Sequence, residues 1–117
     1  MRLESELLDD HILKIILDGR LDVEGTAAID MKFTALTATK RAGVLVDMTD
    51  VSFLASIGMR TLLSCAKALS KRGGKMVLLN PQPMVKDVME RTGVTSLIPV
   101  YDDIETAKGA VRDSIAT

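Results

Sequence analysis

Only a few residues in this chain have the types and spacing that chemistry requires. The single cysteine, Cys65, and the single histidine, His11, are its strongest nucleophile and base. One cysteine excludes an internal disulfide and a multi-thiolate metal site, and one histidine excludes a multi-histidine zinc site. Cys65 falls among apolar residues of a helical pattern, where a thiol is a small buried hydrophobe. His11 opens an apolar run just after Asp9-Asp10 and reads as a surface residue. The carboxylate pairs Asp9-Asp10 and Asp102-Asp103 have the composition of turns and caps rather than of an acid and its base. No Gly-rich phosphate loop occurs, so no nucleotide or other cofactor is expected. An enzyme would need a nucleophile with a positioned base, and the chain is therefore expected not to be one.

One segment stands apart, running from Val44-Leu45-Val46-Asp47 to Leu54-Ala55-Ser56-Ile57-Gly58. A buried strand ends in polar turn residues, an apolar patch follows, and Ser56 sits at the mouth of a helix. Serine is a preferred N-cap there, worth about 1 kcal/mol over alanine. The same place also suits a phosphate, because free backbone N–H groups and the helix dipole favour an anion. Ser56 is thus either a cap or a phosphate-accepting switch. Leu54, Ile57 and Met59 beside it are candidates for a partner-binding surface, although Leu54 and Met59 also suit a core. Gly58 costs the helix about 1 kcal/mol relative to alanine. It is expected to face a partner closely, so that a leucine there would leave the fold intact. Asp47, at the C-terminal end of a buried strand, lies where sites gather in open α/β sheets and is expected to matter to the switch.

The elements that must position these residues follow from periodicity. Leu3 to Leu8 and His11 to Leu17 read as a hairpin, with Leu13, Ile15 and Leu17 on one strand face. Gly19-Arg20-Leu21-Asp22 breaks the second strand, and Ile29, Phe33 and Leu36 then keep helical spacing. Ala42 to Met48 is a strand apolar on both faces, and Met76 to Leu79 repeats that character. Between them Ser56 to Arg72 is a helix that ends at Gly73-Gly74. Pro83 to Arg91 is a short helix, and Leu97 to Val100 is an edge strand marked by Pro99. Asp102 or Asp103 caps a last helix with Ile104, Ala107, Val111 and Ile115 on one stripe. The order β-β-α-β-α-β-α-β-α defines an α/β domain: a mixed sheet, mostly parallel after an opening hairpin, with about four helices packed on it.

The chain of 117 residues makes one domain, residues 1–117. Fifteen Lys and Arg against sixteen Asp and Glu leave a net charge of −1, which gives no electrostatic footprint for nucleic acid. With only Phe33, Phe53 and Tyr101 aromatic, there is no platform for stacking bases either. No apolar run approaches the roughly 20 residues needed to cross a bilayer, and no signal peptide follows Met1. No membrane partner and a cytoplasmic location are expected.

The ordered set of motifs resembles the STAS domain, the anti-sigma-factor antagonist family, over nearly the whole chain. The resemblance rests on Gly19-Arg20-Leu21-Asp22, Val46-Asp47-Met48, Val51-Ser52-Phe53-Leu54 leading into Ser56-Ile57-Gly58, Gly73-Gly74-Lys75 and Asn80-Pro81. It implies a β-sheet with about four helices on one side. It also implies that Ser56 is phosphorylated by a partner that is both anti-sigma factor and serine kinase. The unphosphorylated form would bind that kinase and free a sigma factor, and a serine phosphatase would restore it. Asp22 and Asp47 match family acidic positions near the acceptor. The chain departs from the family at Ala55, where an acidic residue is usual, and at Ile57, where Ser or Thr is common. Those departures leave open a second reading, a constitutive STAS binding or scaffold domain that is not phosphorylated.

Overall fold

A computed structural model describes residues 1–38 and 43–115. Its order is β1 (Arg2–Asp9), β2 (Ile12–Leu21), α1 (Val23–Ala38), β3 (Gly43–Leu54), α2 (Ser56–Lys71), β4 (Lys75–Leu79), α3 (Pro83–Arg91), a 3₁₀ turn (Val94–Ser96), β5 (Val100–Tyr101) and α4 (Ile104–Ile115). This is the expected order. Ala42 and the side chain of Ile115, both assigned from periodicity, fall outside the described residues. The five strands lie in chain order, β1-β2-β3-β4-β5. β1 and β2 pair antiparallel, and the other neighbours pair parallel.

Alternation along the central strands sends side chains to both sides of the sheet. Val44, Val46, Met76 and Leu78 enter one core with Ile29 and Phe33 of α1, Leu62 and Leu69 of α2, and Val85 and Met89 of α3. Leu45, Val77 and Leu79 enter a second core with Ala107 and Val111 of α4. The helices therefore cover both faces, three on one and α4 on the other, rather than one side only. Strands apolar on both faces require that arrangement, since each face must be shielded from water.

Three further differences from the expected elements concern strand length. β2 continues through Gly19 and Arg20 to Leu21, and β3 continues through the polar stretch to Leu54. They remain paired there, Asp18 with Asp50 and Leu21 with Leu54, across register shifts after Ile16 and after Gly19. The fifth strand is shorter than expected, because Val94–Ser96 forms the 3₁₀ turn and Leu97 lies outside the ladder.

Carboxylates fix the element ends. Asp22 accepts the Gly25 N–H at 2.8 Å and so caps α1, while Asp103 accepts the Thr106 N–H at 2.9 Å and caps α4. Asp9 accepts the His11 N–H at 2.8 Å in the β1–β2 turn, and its other oxygen meets Arg112 at 2.9 Å. Backbone N–H groups donating to these carboxylates hold all three below the ordinary value of 3.8. A carboxyl depressed in the fold binds its proton more tightly in the unfolded chain, so its stabilisation is complete above 3.8 and is lost as pH falls through the lower folded values. The melting temperature should therefore fall as pH drops below 3.8. Asp22→Asn with Asp103→Asn, which keeps capping groups but removes the titration, should flatten that decline. Thermal melts across the acid range check this, and parallel acid profiles for the two proteins would refute it.

Candidate functional site

Two strand-to-helix junctions meet at one end of the sheet. β2 hands over to α1 through Asp22, and β3 hands over to α2 through Ala55. The Ala55 N–H donates to the Leu21 carbonyl at 2.9 Å and ties the two together. α2 then starts tightly against this seam. A Cβ on Gly58 would stand 3.0 Å from Leu21 Cβ and from Leu54 Cδ1, and 3.1 Å from the Leu21 carbonyl oxygen. Gly58 is buried and serves this packing. It does not face a partner, which corrects the sequence expectation.

Ser56 is the first residue of α2 and is exposed. It is not the N-cap. Ala55 holds that position with φ −92° and ψ 168° and offers no side-chain cap. The backbone N–H groups of Ser56, Ile57 and Gly58 precede the first helical bond, from Met59 to Ala55, at 3.1 Å. The Ser56 hydroxyl makes no hydrogen bond among the described residues, so nothing there ties it down. The uncapped end makes a direct prediction: Ala55→Asp should stabilise the protein by about 1 kcal/mol. Urea unfolding should show the midpoint rise at constant slope, and an unchanged midpoint would mean the end is satisfied otherwise.

Three exposed apolar side chains adjoin the two junctions in the chain, with Phe53 on the sheet face opposite the one that Leu54 turns to α2. Val23 of α1 is 66% exposed, Phe53 40% and Ile57 38%. The Arg20 guanidinium lies over the Phe53 ring, 4.3 Å from its centroid, and reaches Asp22 at 3.4 Å. Of the apolar residues proposed from sequence, Ile57 alone reaches solvent to this extent. Leu54 and Met59 are 5% and 9% exposed and belong to the core. Val23, Phe53 and Arg20 were not singled out by sequence reasoning, although one member of a Phe-Leu pair ending a strand must face away from the core.

The two acidic positions separate. Asp22 adjoins Leu21 at the seam and acts there as the α1 cap. Asp47 pairs with Ile16 in the ladder, about 16 Å along β2 from Leu21, so it does not sit beside Ser56. It lies where β3 leaves β4, accepting hydrogen bonds from the Thr49 N–H at 3.0 Å and hydroxyl at 2.6 Å, with Lys14 at 3.7 Å. Asn80 and Gln82 donate to the Thr49 hydroxyl and carbonyl, at 3.2 and 2.9 Å, and brace the same stretch of β3. Its place at the β4 end misled the sequence reading, because β3 outruns β4 by seven residues.

His11 and Ser56 lie at opposite ends of β2, about 30 Å of strand apart, and form no nucleophile–base pair. Cys65 is 4% exposed beside the Thr34 hydroxyl, at 3.7 Å. Ser56 opens instead onto a cleft of about 340 Å³ shared with Met59, Arg60, Leu63, Lys67 and Val94. No helix among the described residues is long and apolar enough to cross a membrane.

A mixed five-stranded sheet with helices on both faces and a free serine opening its second helix defines a class of small α/β domain. The chain belongs to the STAS domain family, whose sequence pattern matches residues 7–107. It is 25% identical to BtrV of Bordetella bronchiseptica over 98% of each chain. It is 24% identical to a Paenibacillus polymyxa anti-sigma F factor antagonist, over 88% of this chain and 90% of that protein. The anti-sigma factor antagonist SpoIIAA in its unphosphorylated form superposes with a TM-score of 0.79 at 24% identity, covering 96% of this chain and 97% of that one. The phosphorylated form of the Bacillus SpoIIAA matches at 0.70 and 21%, covering 93% and 99%.

Proposed function

We propose that this protein is an anti-sigma factor antagonist whose hold on its partner is switched by phosphorylation of Ser56. The observation that supports this best is the placement of Ser56: an exposed, unbonded hydroxyl at the open N-terminus of α2, with the exposed Ile57 beside it. In the unphosphorylated form this end of α2, with Ile57 foremost, docks on an anti-sigma factor that is also a serine kinase, and the sigma factor is released. The kinase places phosphate on Ser56, docking fails, and a serine phosphatase resets the protein. The module acts in the cytoplasm, where sigma factors work, and it performs no chemistry of its own. Named relatives support the antagonist part of the reading, since the Paenibacillus protein is named an anti-sigma F factor antagonist.

Peptide mass mapping of protein isolated from its native cell tests this. A phosphate on the Ser56 peptide that disappears in Ser56→Ala is the expected result, and its absence under every growth condition would sink the switch. One observation favours a second reading. Ala55 replaces the usual carboxylate next to the acceptor, and a domain relieved of kinase recognition would be a constitutive binding or scaffold module. Partner capture that is indifferent to growth state, with no phosphate, would establish that alternative.

A further inference from the structure

Among the described helices α2 alone carries no carboxylate, yet Arg60, Lys67 and Lys71 all lie on it. Spacings of seven and four residues place the three within about 40° of helix arc, in a stripe about 16 Å long. All three are exposed, and none forms an ion pair among the described residues. Asp30 faces Arg60 across a separate α1–α2 cleft without pairing to it. In a protein of net charge −1 such a stripe is a local concentration, not a general excess.

The stripe borders a continuous groove. The cleft that begins at Ser56 shares Leu63 and Lys67 with a second of about 340 Å³, lined also by Ala66, Lys71, Leu97 and Ile98. No carboxylate lines either one. The floor is apolar, and Leu97 on the far wall is 71% exposed. We propose that this groove receives an acidic amphipathic helix of the partner protein, its carboxylates on Arg60, Lys67 and Lys71 and its apolar face on Leu63, Ala66 and Leu97. The inference rests on the reading of this domain as a partner-binding module and specifies what the partner presents. A stripe of this length matches about three helical turns, and helices commonly dock in grooves by such spaced anchors. Nucleic acid is disfavoured because no aromatic ring lines the groove to stack a base. Ser56 stands at the head of the groove, so a phosphate there would add repulsion against an acidic occupant.

The test uses the full chain labelled with ¹⁵N and a synthetic helical peptide with glutamates along one face and leucines along the other. The glutamate peptide should shift amides along α2 and residues 94–98, and the same peptide with lysines should not. Reversing Arg60, Lys67 and Lys71 to glutamate should weaken the glutamate peptide by at least about tenfold. Leu97→Asp should also weaken it, and all these substitutions are exposed, so melts should stay unchanged. Equal binding of the lysine peptide, shifts confined to other elements, or displacement of the glutamate peptide by a thymidine oligonucleotide would each overturn the proposal. Because the peptide is synthetic and Ser56 unmodified, failure here leaves the phosphorylation switch standing. Conversely, failure to find phosphate leaves this result untouched.

Discussion

Ser56→Asp should weaken binding to the anti-sigma partner by about a hundredfold, a loss near 3 kcal/mol, while the fold stays intact. The two halves of that expectation have separate causes. A carboxylate on the first residue of α2 meets free N–H groups and the positive end of the dipole, which favours it by about 0.3–1 kcal/mol. Stability should therefore hold or rise slightly. Docking desolvates the same position beside Ile57 at a cost of several kcal/mol for a charge, which the exposed Arg60 of the same cleft offsets only in part. Phosphoserine, with about −1.5 to −2 charges, should act more strongly still. Ser56→Ala should bind like the wild type, because the hydroxyl has no bond to lose. Calorimetric titration of the three proteins against the anti-sigma factor recovered with the wild type, with melts alongside, decides it. Wild-type affinity in Ser56→Asp would reduce Ser56 to a surface residue of the helix end.

Gly58→Leu should destabilise the domain by about 3 kcal/mol or more, at the upper end of overpacking costs. The Cβ alone stands at 3.0–3.1 Å from Leu21 and Leu54, and one of those contacts is backbone oxygen, which cannot swing away. A leucine has further atoms to place in the same seam. For a domain of this size the melting temperature should drop by more than about 10 °C. Gly58→Ala should be close to neutral, since its helix gain of about 1 kcal/mol offsets a squeeze of a few tenths of an ångström. Denaturant unfolding of both variants makes the comparison. A leucine variant as stable as wild type would show that the seam gives way, and would return Gly58 to the surface.

The order of elements was legible because the chain alternates between strand and helix periods with few ambiguous runs. Ser56 and Ile57 were legible too, since a polar residue between a strand and a helical stripe marks a helix start. The double covering of the sheet was present in Val44-Leu45-Val46, whose middle residue needs its own core partner, and Leu45 finds it in Ala107 and Val111. What could not be read was how far β2 and β3 run. Asp47-Met48-Thr49-Asp50 looks like a turn because β4 stops at Leu79, so the outer part of β3 has a sheet neighbour on one side only. Polar residues then reflect a half-covered strand rather than a break. That same length moved Asp47 away from Ser56. The burial of Leu54, Met59 and Gly58 depends on the seam between β2 and β3, which involves residues more than thirty positions apart.

The strand order of the sheet bears on how the molecule is made. Each strand pairs with the one just before it in the chain, so none has to be inserted between two already joined. A polypeptide leaving the ribosome can form the β1–β2 hairpin first, the most local pairing in the sheet, on a timescale of about 1–10 μs. Every later strand then arrives at an edge that already exists, with the helix made just before it at hand to cover one of its two faces. Synthesis at about 5–20 residues per second leaves seconds between these additions. The vulnerable interval falls after β3 and before β4, when Val44, Leu45 and Val46 form an uncovered apolar edge. α2 follows β3 in the chain and covers Val44 and Val46, whereas Leu45 waits for α4, so one face of the growing sheet stays open until the last helix is made.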